Sequence, residues 1–173
     1  LSTHTVTTNG GAPPGSLAGL IDPTAPSEFS GNLANGRAVL MRSGGGSFSS
    51  ETQVTITPND GVGACPSGLA IGFTITDSPP FQPTNPLFLT ASYLVGELAG
   101  LPPSQLVLAR VDPTGVCVPL ETVFNTTARV FTAKLNHFSN YQVMRVPLST
   151  SAGTARAFPN PFRPAVDSYV TFD

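Results

Sequence analysis

The stretch Leu87-Phe88-Leu89-Thr90-Ala91-Ser92-Tyr93 decides the fold class. Leu87, Leu89, Ala91 and Tyr93 fall on one side of an extended chain and Phe88, Thr90 and Ser92 on the other, the two-residue period of a strand with one buried face. Glu51-Thr52-Gln53-Val54-Thr55-Ile56-Thr57 repeats it, with Val54 and Ile56 alternating with Thr55 and Thr57. Outward from these, Arg37 to Arg42, Leu69 to Thr76, Gln105 to Val111, Val116 to Glu121, Ala128 to Ala133 and Phe138 to Val146 read as further short strands, separated by Gly, Pro, Asn and Asp. The strand containing Leu87 is read as far as Val95. No segment carries a sustained 3.6-residue apolar stripe, although Pro102-Pro103-Ser104 has the form of a single helical turn. Strands at this spacing predict an all-β, antiparallel sandwich or barrel with long Pro/Gly-rich loops. Leu87, Leu89, Tyr93, Leu106, Leu108, Val130, Phe138, Tyr141 and Val143 are expected in or beside its core.

The flanks read differently. Residues 1–36 are expected to form an N-terminal strand, Ser2 to Thr8, followed by an arm from Asn9 to Gly36 laid over the surface, because Gly and Pro interrupt every period there. The sandwich is assigned to 37–146 and a Ser/Thr/Ala/Gly linker to 147–157. In 158–173, Phe158-Pro159-Asn160-Pro161-Phe162 is stiff and extended, and Ser168 to Phe172 alternates as a new strand. A lone strand cannot bury its apolar face. Tyr169, Val170 and Phe172 are therefore expected to pack on the main domain, on a continuation, or on another chain.

Composition excludes several classes. Gly and Pro total 35 of 173 residues while charged residues make up 10%, about a quarter being usual, which rules out coiled coils, helical bundles and charged disordered tails. The eight Lys and Arg, of which Lys134 is the single lysine, form no basic stripe, so nucleic acid is not an expected partner. Solubility falls instead to 16 Ser and 20 Thr, a surface common on secreted bacterial β-modules. No apolar run reaches the length of a membrane span, and no signal peptide is visible at Leu1, so the chain reads as a mature product or an internal fragment. Cys65 and Cys117 lack the further ligands of a zinc site. They are either a disulfide, in an oxidising compartment, or two buried thiols packing as small apolar groups.

Three segments in order carry a family resemblance. Phe81-Gln82-Pro83-Thr84-Asn85-Pro86-Leu87, running on to Tyr93, resembles the Phe-x-Pro-x-x-Pro-aliphatic strand of the ZU-five domain of zonula occludens, netrin-receptor and ankyrin proteins, found widely in bacterial surface proteins. Leu106 to Asp112 with Val118-Pro119-Leu120 is similar to its paired strands, although Cys117 stands where the family carries Trp. Asn136-His137-Phe138-Ser139-Asn140-Tyr141 resembles its closing His-Phe-Ser strand. The resemblance covers about 40–146 and implies a sandwich that brings Cys65 and Cys117 close together. Phe158 to Pro164 separately resembles the opening of Ig-like carboxy-terminal modules of bacterial exported proteins, type IX sorting domains among them.

Autoproteolytic members of the ZU-five family cut between Phe and Ser of the tripeptide. The resemblance thus implies one candidate chemistry, in which Ser139 Oγ attacks the Phe138 carbonyl and His137 takes the proton. Against it stands a structural role, with Phe138 in the core, His137 bonded to a neighbouring strand and Ser139 facing solvent. The structural role is the expectation, and no enzyme activity is assigned. His4 has no acidic or Cys partner nearby in sequence, and Asp60, Asp77 and Asp112 sit in turn contexts that Asx hydrogen bonds explain without calcium. Gly44-Gly45-Gly46 lacks the Lys and helix of a phosphate loop. No carboxylate pair recommends a glycosidase, and the absence of Trp argues against a carbohydrate platform. Asn125-Thr126-Thr127 matches a glycosylation sequon without consequence in a bacterial protein.

No metal or other cofactor is expected, and no small-molecule ligand. The functional expectation is a structural or interaction module of an extracellular or cell-surface assembly, a filament or adhesin component. It would pair with protein partners, copies of itself included, by β-augmentation through Phe158, Pro159, Asn160, Pro161, Phe162, Tyr169 and Phe172. The alternatives are self-cleavage between Phe138 and Ser139, and a glycan- or peptide-binding module.

Overall fold

The computed structural model describes residues 4–5, 12–59, 65–80, 82–146, 157–158 and 171–172. In chain order the strands are β1 (His4–Thr5), β2 (Leu17–Ile21), β3 (Ser27–Asn32), β4 (Ala38–Ser43), β5 (Thr52–Pro58), β6 (Gly68–Ser78), β7 (Leu87–Ser92), β8 (Leu106–Val111), β9 (Cys117–Pro119), β10 (Thr122–Asn125), β11 (Val130–Leu135), β12 (Asn140–Arg145), β13 (Ala157–Phe158) and β14 (Thr171–Phe172). Single 3-10 turns occupy Val95–Leu98 and Pro103–Gln105. The first sheet runs β1-β3-β4-β7-β11-β10 and the second β2-β5-β6-β12-β8-β9, while β13 and β14 pair with each other. All pairs are antiparallel except β1 with β3. No helix among the described residues is long and apolar enough to cross a membrane.

The chain is an all-β antiparallel sandwich because two-residue alternation gives each sheet one apolar face, and the two faces close on each other. Leu87, Leu89 and Ala91 of β7 are buried, as are Val54 and Ile56 of β5. They join one cluster with Phe29, Met41, Phe73, Leu108, Phe131, Tyr141 and Val143. Eight of the nine expected core residues belong to it. Val130 does not: its partner Ser92 lies outside, and the register sends Phe131, Ala133 and Leu135 inward instead. Val130 is half-buried on the outer side of the strand, next to the inward-facing Phe131.

Three further expectations are corrected. The arm expected over 9–36 holds β2 and β3, one in each sheet, so the sandwich does not begin at residue 37. Its glycines mark close approach rather than flexibility, since a Cβ on Gly19 would lie 2.2 Å from the Phe29 ring and one on Gly31 would lie 2.8 Å from Leu17. The strand expected over 116–121 is Cys117–Pro119, and a separate strand, β10, follows it in the other sheet. Finally, β7 stops at Ser92, and Leu94 and Val95 are exposed at the 3-10 turn.

That turn is tied down by charge. Arg37, buried at the start of β4, donates to Glu97 at 2.6 Å and to the Ser92 carbonyl at 2.6 Å, and the Leu94 N–H donates to Glu97 at 2.7 Å. Burial pushes the Glu97 carboxyl up, but the Arg37 and Leu94 hydrogen bonds and the Arg37 charge outweigh it and hold the group below its ordinary 4.5. Glu97 keeps 25% of its side chain exposed, which tempers the effect. Glu97→Gln is expected to cost about 2 kcal/mol at neutral pH, because Arg37 loses its countercharge. A carboxylate with a lowered folded pKa stabilises above its unfolded value. The difference between the two proteins should therefore shrink as pH falls below 4.5 and through the folded pKa, which urea titrations at several pH values would measure.

Candidate functional site

His137-Phe138-Ser139 crosses one end of the sandwich on its way into β12. Phe138 is buried and stacks on Phe48, with ring centroids 5.9 Å apart and planes 12° from parallel. Its N–H donates to Gln82 Oε1 at 2.9 Å, which fastens the Pro-rich segment before β7 to the entry of β12. The Ser139 carbonyl accepts the Ile75 N–H at 2.9 Å and so continues the β6–β12 ladder. The Tyr141 hydroxyl donates to the His137 carbonyl, a tyrosine clasp on the backbone four residues upstream. Burial raises the Tyr141 pKa far above its ordinary 10, against the lowering effect of the Arg110 charge, so the hydroxyl stays protonated as a donor.

The Ser139 hydroxyl and the His137 Nδ1 each meet a main-chain carbonyl. Ser139 Oγ donates to the Val111 carbonyl at 2.6 Å, across the β8–β12 pair. His137 Nδ1 lies 2.5 Å from the Phe138 carbonyl oxygen, where the Nδ1–H tautomer donates to it. Nδ1 thus addresses the carbonyl oxygen of the Phe138–Ser139 bond, and the Ser139 hydroxyl proton is directed at the Val111 carbonyl. None of the three residues has a positive φ.

A groove of about 480 Å³ opens beside the tripeptide, lined among others by Thr74, Gln82, Asp112, Phe138, Ser139 and Asn140. Much of its polar lining is already engaged. Thr74 Oγ1 donates to Asn140 Oδ1 at 2.7 Å, and Asp112 Oδ1 accepts from the Thr114 hydroxyl and N–H and from the Val116 N–H. Hydrogen bonds, first from the Thr114 hydroxyl and then from the Val116 N–H, hold the Asp112 carboxyl below its ordinary value. Asp112 is thus the keystone of the β8–β9 turn. Asp22 plays the same part before β3, accepting from Thr24 and Ala25. Among the described residues no three His, Cys, Asp or Glu cluster as metal ligands.

Comparison with protein-family models, curated proteins and solved structures finds no match. The ZU-five and Ig-like resemblances rest on the sequence motifs.

On the outer face of the second sheet, Cys65 and Cys117 form a disulfide with their Cα atoms 5.8 Å apart. It clamps the connection between β5 and β6 to β9. Under the clamp Cys65, Ala109 and Met144 are buried, with Val107 and Val111 packed against them. Gln142, also buried, accepts the Cys65 N–H at 2.8 Å and donates to the Leu69 carbonyl at 2.9 Å. Gly68 makes room for it, because a Cβ there would lie 2.4 Å from Gln142 Nε2. The sequence reading did not single out Gln142; its flanks, Tyr141 and Val143, gave no sign that the outer side of β12 is covered too.

The tail residues divide. Phe158 and Phe172 belong to β13 and β14, with Ala157 opposite Phe172 and Phe158 opposite Thr171. Pro159, Asn160, Pro161, Phe162 and Tyr169 lie outside the described residues, as do Asp60 and the side chain of His4.

Proposed function

We propose that the chain is a structural or interaction module of an extracellular or cell-surface protein assembly, a ZU-five-like sandwich that meets its neighbours through sheet edges and extended terminal segments. The observation that carries this reading is the placement of the outermost strands. β1 adds in parallel to the edge of the first sheet, and β13 and β14 form a small sheet of their own outside both. Terminal segments that act as strands are suited to main-chain pairing with another chain. The disulfide supports an oxidising compartment, and the sparse charge supports assembly that salt does not dissolve. Deleting Phe158 to Asp173 tests it: the truncated chain is expected to lose assembly mass by light scattering at low and high salt alike. Unchanged oligomeric size would remove the tail as connector.

Self-cleavage is the second reading, favoured by the contact between His137 Nδ1 and the carbonyl oxygen of the bond in question, where a donor would stabilise an oxyanion. The hydroxyl held by Val111 weighs against it. Intact mass is expected to show one species of 17.9 kDa. Pieces ending at Phe138 and beginning at Ser139 would reverse the order of the two readings.

A further inference from the structure

β10 is the terminal strand of the first sheet, and its hydrogen-bond phase can be read from its register. Lys134 N–H donates to the Glu121 carbonyl at 3.4 Å, Val123 stands opposite Thr132, and Phe124 stands opposite Phe131. Antiparallel pairing alternates, so the peptide groups of Glu121, Val123 and Asn125 face β11, while those of Thr122 and Phe124 point the other way. On that other side lies a groove of about 600 Å³, walled by Thr122, Val123 and Phe124 and, across from them, by Leu106 and Val107. The far wall adds one main-chain acceptor, the Leu106 carbonyl, since the Leu106 N–H is bonded to the Pro103 carbonyl and the Leu108 groups to Leu120 and Thr122. β9 pairs with β8 at Ala109 to Val111, and the bond from Val146 N–H to the Gln105 carbonyl fixes the phase that turns the Leu106 carbonyl away from β12. No charged side chain lines the groove.

A row of main-chain donors and acceptors between apolar walls fits an extended polypeptide strand, whose own peptide groups complete the ladder while alternate side chains fill the walls. The absence of charge in the lining requires the incoming strand to be uncharged over the paired stretch. This chain carries such a segment in Ser168-Tyr169-Val170-Thr171-Phe172. Among the described residues β13 and β14 pair with each other, and no strand other than β11 pairs with β10. A two-stranded sheet is marginal by itself and gains by adding to a larger one.

We propose that the free edge of β10 is the acceptor for segment 168–172 of a second copy of this chain. The proposal rests on the assembly reading and names its receiving surface. The contact is heterologous, one copy's tail on another's edge, and it propagates into a filament unless a rotation closes it.

The test uses the full chain with a photo-crosslinking phenylalanine analogue in place of Val123, a side chain 66% exposed beside the groove. Irradiation is expected to give dimers whose cross-linked peptide contains 168–172. The double variant Val123→Lys with Ser104→Lys, which sets charge into the groove, is expected to weaken self-association tenfold or more without lowering the melting temperature. Cross-links confined to one chain, or dimers joined elsewhere, overturn the proposal. If light scattering still shows assembly in that case, the acceptor edge falls and the assembly reading stands. A chain that is monomeric at every concentration sinks both.

Discussion

Phe131→Ala is expected to remove about 3–5 kcal/mol of folding stability. Phe131 is fully buried in β11 and is the ring at which the two sheets meet. Its centroid lies 6.2 Å from Phe73 of the opposite sheet and 5.4 Å from Phe124 of its own, and Phe124 in turn packs edge-on against Tyr93 at 5.7 Å. Removing the ring leaves a void that neither sheet can close, because β11 is hydrogen-bonded to β7 on one side and β10 on the other. The adjacent Val130→Ala serves as the control. Val130 faces outward from the same strand, so its truncation should cost less than about 1 kcal/mol. Urea denaturation of the two variants compares them directly. Equal losses would mean that the inside and outside of β11 are wrongly assigned.

Cys117→Ser is expected to cost about 4 kcal/mol under non-reducing conditions, from the chain entropy released when a cross-link spanning 52 residues is lost. The figure belongs to that entropic account, and a second cost acts locally. Without the bond to β9, Cys65 keeps its N–H bond to Gln142 and Ser67 its carbonyl bond to the Arg145 N–H, and any displacement of the segment takes from the buried Gln142 amide the donor it accepts from. Reducing agent should therefore lower the stability of the natural chain by a similar amount and leave the variant unchanged. Non-reducing peptide mapping should recover the Cys65 and Cys117 peptides together. Two thiols that alkylate freely in native protein would remove the clamp.

Alternation made β5 and β7 legible because each has one buried and one open face, the condition under which a two-residue period is visible. β2 was hidden for the opposite reason: Ala18 is as deeply buried as Leu17 and Ile21, so both sides of the strand are covered, and Gly19 looks like a turn residue until the Phe29 ring is seen against it. β10 is four residues long, starts three residues after Pro119 and ends at Asn125, which read as a loop. The His-Phe-Ser tripeptide could be found by its order in the chain, but not its chemistry. Whether His137 meets the Ser139 hydroxyl or the Phe138 carbonyl depends on a side-chain torsion, and the Ser139 hydroxyl is claimed by Val111, 28 residues away. Long-range partners were equally invisible, since Arg37 and Glu97 are separated by 60 residues and Cys65 and Gln142 by 77.

The asymmetry of the two outer faces bears on assembly. The second sheet is partly roofed by the segment under the disulfide. The first sheet presents Leu40, Phe88, Thr90 and Val130 on its outer side, with the Glu28–Arg42 pair at one margin. β10 is the terminal strand of this less covered sheet, and on the assembly proposal apolar and main-chain contacts rather than charge would hold copies together there.

The molar mass of the full chain by light scattering, across a concentration series at about 0.05 M and about 1 M salt, tests the assembly reading most directly. The account predicts a mass that rises above 17.9 kDa with concentration and does so equally at both salts. A constant 17.9 kDa at every concentration and both salts would contradict it.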